Sequence, residues 1–332
     1  MQLSQLGYFV AVAEQGSFTG AAERVGVAQP SLSQQIKALE TDLGALLLHR
    51  ARGKVGLTAA GETLLPVARR MLADAETARR EIRELAALGR GRVRLGATPS
   101  LCTGLLPAVL ADYRRRYPGV DIVVHEGGSR DLQEELVHGA LDLALVIDAR
   151  LDDDPELATV PLLTEELVVI SRHEDPGPTR RPRMGIAELR DVPLVMFRAG
   201  YDLRETTLTA CRAAGFEPTF AIEGGEMDAV LEFVRAGLGV AVVPSTVVRN
   251  RFRATPISDP GLHRTILLAR RRGLEPPRAA QALIETLIEF LRTSAAGDTL
   301  PPGTSELTSP GSSGRPGRPG GSARQGRRAL TD

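Results

Sequence analysis

Two cysteines, Cys102 and Cys211, and five histidines, His49, His125, His138, His173 and His263, are all that the 332 residues offer for soft metal ligation or thiol chemistry. No His-x-x-x-His and no Cys-x-x-Cys occurs among them, so the spacings that build zinc sites are missing. Also missing are a Gly-x-Ser-x-Gly elbow, a Walker loop and a Gly-x-Gly-x-x-Gly turn, the local signatures of nucleophilic and nucleotide chemistry. An enzyme is therefore not expected, nor is a bound cofactor. No apolar run approaches the roughly 18 residues of a membrane span, and no secretory apolar segment opens the chain. With so little cysteine, the expected setting is the cytoplasm, with both thiols reduced. Net charge is also lacking: 41 basic residues balance 41 acidic ones. That balance argues against a nucleic-acid partner until the charges are placed along the chain.

What is present first is a pair of helices meeting at a sharp turn, in residues 18–43. The second carries Leu32, Ile36, Leu39 and Leu43 on one stripe at helical spacing. Its other face holds Gln29, Ser31, Ser33, Gln34 and Lys37, all hydrogen-bonding groups, with Glu40 and Asp42 only near its end. Pro30 suits a first helical turn, where its missing N–H costs nothing. Gly26 suits a turn with positive φ, and Ala21 and Ala22 let the helices approach closely. This is the layout of a helix-turn-helix whose second helix enters a DNA major groove by its N-terminus. A small helical core with a polar face is the plainer alternative. The next segment favours the DNA reading: residues 46–50 and 54–57 are short apolar runs around Ala51-Arg52-Gly53, a hairpin signal. Arg50, Arg52 and Lys54 near its tip form a wing able to touch phosphates or a minor groove. The domain is only mildly basic in sum; its cations can nevertheless share one face.

A long helix is expected from Thr58, its cap, to about Leu88. Along it Leu64, Ala68, Met71, Ala75, Ala78, Ile82 and Leu85 alternate spacings of four and three, the a/d repeat of a two-stranded coiled coil. Pro66 should kink or loosen its early turns. After the short hinge Gly89-Arg90-Gly91 the texture changes to continuous apolar strands alternating with amphipathic helices, which implies a mainly parallel α/β sheet. From residue 295 onward the chain is rich in Gly, Pro and Ser with scattered arginine, and is expected to be disordered because it cannot bury enough surface to offset its ordering entropy.

The stretch VAQPSLSQQIKALETDLGALLLHRARGKVGLTAAG resembles the N-terminal signature of LysR-type transcriptional regulators. The carriers are a Gln-Pro opening, a Ser-x-x-Ile-x-x-Leu-Glu core and a Leu-Thr-x-x-Gly exit, and the resemblance runs to about Arg292. Leu48 departs from it, standing where the family usually has phenylalanine. The resemblance implies a winged helix-turn-helix over residues 1–58, a dimerising linker helix over 59–88, and a two-lobed α/β effector domain over 89–294. That last domain is like a type II periplasmic binding protein, with the tail over 295–332. It further implies double-stranded promoter DNA, a small-molecule effector and a homodimer or homotetramer, with RNA polymerase as a partner if the regulator activates.

In a two-lobed α/β domain the ligand crevice lies at strand carboxyl ends between the lobes. Thr98, Pro99 and Ser100 follow the first strand, Ser129 precedes a later helix, and Arg198, Tyr201 and Glu226 belong to the second lobe. By resemblance, Thr98, Ser100 and Ser129 hydrogen-bond an anionic inducer, Arg198 pairs its charge, Tyr201 covers it and Glu226 selects a donor group. In the plainer reading Ser100 and Ser129 are helix caps and Arg198 a surface residue. One branch of the family senses peroxide through two cysteines, and GYDLRETTLTAC resembles its cysteine segment. Only the second position is cysteine here, Cys211, and Asp202 occupies the reactive one. The remaining alternatives are thus a redox-responsive regulator using Cys102 or Cys211, and a ligand receptor without a DNA role.

Overall fold

The computed structural model describes residues 1–51, 54–86, 91–147, 155–175, 177–248, 251–258, 261–296 and 303–306. It begins with three helices, α1 (Leu3–Gln15), α2 (Phe18–Val25) and α3 (Gln29–Leu43), followed by the hairpin β1 (Leu48–Ala51) and β2 (Lys54–Leu57). The Ser17 hydroxyl accepts the Gly20 N–H at 3.3 Å and so caps α2. Gly26 ends α2 at φ 71°, which lets the chain reverse into α3 without a Cβ penalty. Leu32, Ile36 and Leu39 of α3 are buried against Leu6, Phe9 and Val12 of α1. Leu43, expected on the same stripe, is 41% exposed, because α3 runs on beyond the body it packs against. The Glu40 carboxylate accepts the N–H groups of Leu47 at 2.8 Å and Leu48 at 3.3 Å, fixing where the wing begins.

A single helix, α4 (Ala59–Ala86), leaves the wing and continues through Pro66, so the proline removes one backbone bond without ending it. The Thr58 hydroxyl accepts the Gly61 N–H at 3.1 Å as its cap. A Cβ at Gly61 would lie 2.1 Å from the Leu47 carbonyl oxygen, so only glycine lets α4 cross the wing this closely. The expected seam divides here. Ala68 is fully buried and Leu64 half-buried against Leu6, Phe9, Leu39 and Leu47 of the same chain. Ala68 is therefore a core residue of the winged helix, while Leu64 packs against that core with part of its surface left exposed. Met71 at 37%, Ile82 at 67% and Ala78 remain exposed, and Ala75 is half-buried; the Leu85 side chain lies outside the described residues.

The α/β part contains β3 (Gly91–Ala97), α5 (Pro99–Thr103), α6 (Leu106–Arg116), β4 (Val120–Glu126), α7 (Ser129–Val137) and β5 (Leu143–Val146). Then come β6 (Leu157–Arg172), β7 (Met184–Gly185), β8 (Leu194–Met196), α8 (Asp202–Ala213), β9 (Phe220–Glu223), α9 (Met227–Arg235) and β10 (Ala241–Pro244). Strands β11 (Phe252–Ser258) and β12 (His263–Arg271), helix α10 (Arg278–Ala296) and strand β13 (Thr304–Glu306) complete it. Strands β4, β3 and β5 are parallel, as are β8 and β9. The sheet is nevertheless mixed: β12 runs antiparallel to β5 and β6, and β10 and β11 run antiparallel to β6. The cause is β6, whose 16 residues cross from one lobe to the other and set the direction of everything beside it.

Each lobe has its own core. Leu95, Val109, Tyr113, Leu145, Leu268 and Leu283 mark the first, and α10 returns to it, with the Tyr113 hydroxyl donating to the Ala279 carbonyl at 2.7 Å. Val169, Phe197, Leu208, Val230 and Val243 mark the second. The tail is not wholly without structure: β13 pairs with residues 163–165 of β6, and the Glu166 N–H donates to the Gly303 carbonyl at 2.7 Å. The strand edge left open at the lobe crossing gives this otherwise unpatterned segment a backbone partner. Two ion pairs join α4 to the first lobe, Arg70 to Glu156 and Arg271 to Asp74, each at 2.6 Å.

Two adjacent positions of α4 should respond differently to an added charge. Ala68→Glu places a carboxylate in an apolar core and is expected to cost several kcal/mol, whereas Val67→Glu, at an exposed position, should leave melting unchanged within about 0.5 kcal/mol. Thermal unfolding followed by circular dichroism checks both; equal destabilisation would contradict the packing described.

Candidate DNA-reading face and interlobe cleft

On α3, Pro30, Ser31, Gln34 and Lys37 are exposed and Gln29 and Ser33 half-buried, all on the side away from Leu32, Ile36 and Leu39. Three nearby carboxylates are committed elsewhere. Glu40 holds the wing, Asp42 meets the N-terminal ammonium at 2.6 Å, and Glu14 takes Arg24 and Arg69 at 2.8 and 3.2 Å. The outer face therefore presents amides, hydroxyls and one ammonium at the positive end of a helix dipole, an arrangement suited to acceptor-rich base edges and phosphates. Arg52 lies outside the described residues, as do the side chains of Arg50 and Lys54.

Between the lobes lies a cavity of about 250 Å³. Six of the seven expected effector residues line it: Thr98, Pro99, Ser100, Arg198, Tyr201 and Glu226. Ser129 does not. Its buried hydroxyl accepts the Ile147 N–H at 3.0 Å and lies 3.1 Å from the Ile147 carbonyl and 3.0 Å from the Asp202 carboxylate, so it is occupied with protein groups. Neither serine is a cap. The cap positions fall on Thr98 and Gly128, and neither makes a side-chain capping bond. Arg198 donates to Glu226 Oε1 and sits 5.9 Å from the Tyr201 ring centre, and Tyr201 stacks on Phe197 at 4.6 Å. Burial pushes the Tyr201 phenol well above its usual range.

The residue that sequence reasoning missed is Arg264. On β12 it reaches the cleft floor, donating to Ser100 Oγ at 2.9 Å and to Glu165 Oε2 at 2.9 Å. Glu165 is fully buried and also accepts the Thr246 N–H at 3.1 Å and the Thr246 hydroxyl. One chain of bonds thus runs from Ser100 in the first lobe to Thr246 in the second. Its signal was faint: an arginine near the start of one strand and a glutamate in the middle of another, which are direct cross-strand partners. Two further bonds close the cleft's rim, Ser129 to Asp202 and Thr103 to Asp228 at 3.2 Å. Among the described residues no group of three or more His, Cys, Asp or Glu side chains is placed to hold a metal ion. No described helix is long and apolar enough to cross a membrane.

Two family models match: a bacterial regulatory helix-turn-helix protein of the lysR family over residues 3–62, and a LysR substrate binding domain over residues 86–292. A probable hydrogen peroxide-inducible genes activator of Streptomyces viridosporus is 34% identical over 297 residues, 87% of this chain and 94% of that one. Among solved structures, a full-length OxyR of Pseudomonas aeruginosa with a cysteine replaced by aspartate superposes with a TM-score of 0.65 at 28% identity, covering 86% of this chain and 94% of that one. Full-length CbnR in complex with its target DNA gives a TM-score of 0.65 at 27% identity, covering 89% and 100%.

The cysteines here sit in different lobes. Cys211 is buried in the core of the second, and Cys102 packs against the core of the first. Burial, with the Glu126 carboxylate and then Asp228 nearby, pushes the Cys102 thiol up to about 12. Burial and Glu217 push Cys211 up to about 11. A thiol titrating near 11 is only about one part in a thousand thiolate at pH 8, and the thiolate is the reactive form. Iodoacetamide at pH 8 should therefore label the folded chain far more slowly than the chain in denaturant. Rapid stoichiometric labelling of either cysteine in the native protein would contradict this.

Proposed function

The chain belongs to the LysR family of transcriptional regulators, proteins that bind DNA and carry an effector domain and are not enzymes, and on that premise we propose how its own residues divide the work. Gln29, Pro30, Ser31, Ser33, Gln34 and Lys37 read the major groove, and Arg50, Arg52 and Lys54 of the wing hold the backbone beside it. The observation that carries this reading is the outer face of α3, where polar groups stand exposed while Glu14, Glu40 and Asp42 are engaged elsewhere. Two copies join through the exposed part of α4, using Met71, Ala75, Ala78, Ile82 and Leu85, which gives two reading helices on neighbouring half-sites. The protein works in the cytoplasm as a homodimer or homotetramer, and contacts RNA polymerase where it activates.

A small effector carrying an anionic group enters the interlobe cleft. Thr98, Pro99 and Ser100 meet it from the first lobe, and Arg198, Tyr201 and Glu226 from the second, with Arg264 facing its negative end. Support comes from the position of Arg264 beside Ser100, a buried cation at the carboxyl ends of the strands. Binding shifts the balance between lobe arrangements, and α4, tied to the first lobe through Arg70 and Asp74, passes the change to the spacing of the reading helices. A redox trigger is disfavoured, because both thiols are held protonated by burial.

Gln34→Ala should change which base is preferred at one position, by about 1–3 kcal/mol. Arg52→Ala should instead weaken binding to all sequences alike and lower the salt slope by about one. Gel shifts over a randomised site at several salt concentrations separate the two; the reverse pattern would exchange their roles. Met71→Glu puts an unmatched carboxylate in the dimer seam at a cost of several kcal/mol, and sedimentation should show dissociation. A Met71→Glu chain that sediments like the unmodified protein would remove α4 as the seam.

A further inference from the structure

The cleft's lining is more acidic than an anion-binding site should be. Four carboxylates face it, Glu126, Asp131, Asp202 and Glu226, against two guanidiniums, Arg198 and Arg264. Each guanidinium already has a carboxylate of its own, Arg198 with Glu226 and Arg264 with Glu165 behind the floor. A guest carrying only negative charge would enter a field of the same sign.

Two polar atoms point the same way. Tyr201 is 8% exposed, and its hydroxyl has no hydrogen-bond partner among the described residues although the side chain lines the cavity. Glu226 Oε2, also buried, has none either. A buried carboxylate oxygen left unpartnered is costly, and only a donor can satisfy it. A plain carboxylate guest supplies no such donor, and a hydroxyl supplies one without charge; an ammonium supplies three together with a positive charge that matches the acidic lining. We propose that the effector is a zwitterion of the amino-acid class, with its ammonium on Glu226 and Asp131 and its carboxylate toward Arg264 and Ser100. The cavity volume of about 250 Å³ is roughly eight times a water molecule's share of liquid, a fit for a molecule of that size. Charge matching at both ends also fixes one orientation, which the Tyr201 hydroxyl completes from the side.

This inference rests on the cleft being the effector site, and the test separates the two claims. The full chain is melted with the proteinogenic amino acids and, in parallel, with nitrogen-free mono- and dicarboxylates and polyols, since a ligand of the folded state raises apparent stability. The stabilising probe is then titrated by calorimetry into the unmodified protein and into Glu226→Gln, Asp131→Asn, Ser100→Ala and Tyr201→Phe. The expected result is stabilisation by an amino acid, with affinity lowered roughly ten- to a hundredfold by Glu226→Gln or Asp131→Asn. Stabilisation by a nitrogen-free acid or polyol in place of any amino acid would overturn the zwitterion while keeping the cleft. An amino-acid affinity unchanged in both acidic-site variants would overturn it as well. Binding unaffected by all four substitutions, or no stabilisation by either class, would overturn the cleft reading together with it.

Discussion

The ion pair between Arg264 and Glu165 is the constraint on which the two-lobed domain turns. Glu165 is fully buried, with Arg264 and Thr246 as its partners, and Arg264 also donates to Ser100 through Nη2. A buried pair is tolerable only when its geometry is good and its remaining atoms are bonded, and here the remaining bonds reach into both lobes. Strands β6 and β12 carry the pair across the lobe junction as cross-strand neighbours. The cleft above them is consequently built on a fixed floor, and side-chain bonds from Ser129 to Asp202 and from Thr103 to Asp228 span its rim.

The N-terminal half solves a different electrostatic problem. The chain as a whole is neutral, yet a DNA-reading surface must not repel phosphate. The solution is local: Glu14, Glu40 and Asp42 are each bound to a cation or to backbone N–H groups, away from the outer face of α3. Net charge is a poor guide to a nucleic-acid partner when so few residues make the contact.

Much of this was legible in the sequence because it depends on local rules. The periodicity of α3, the Thr58 cap, Gly26 and the strand–helix alternation of the effector domain each follow from a few neighbouring residues. Six cleft residues were found because strand carboxyl ends are places where ligands collect. What escaped depends on long-range pairing. Ala68 satisfies a heptad pattern, but a heptad does not say whose helix fills it, and the chain's own winged helix takes this position. Ser129 has the residue type of a ligand contact, and only the fold places Ile147 and Asp202 around its hydroxyl. Arg264 read as one polar residue in a strand until Glu165, distant in sequence, came to lie beside it. Strand β13 escaped because its composition offers no apolar pattern, and the open edge of β6 supplies the structure instead.

Urea unfolding of Arg264→Met, Glu165→Leu and the double variant reports whether the Arg264–Glu165 pair joins the lobes under the cleft. Each single substitution strands a buried charge and should destabilise the domain by about 3–5 kcal/mol, whereas the double variant, which buries neither, should recover most of that loss. Single variants within about 0.5 kcal/mol of the unmodified protein, or a double variant whose loss equals the sum of the two, would contradict the account.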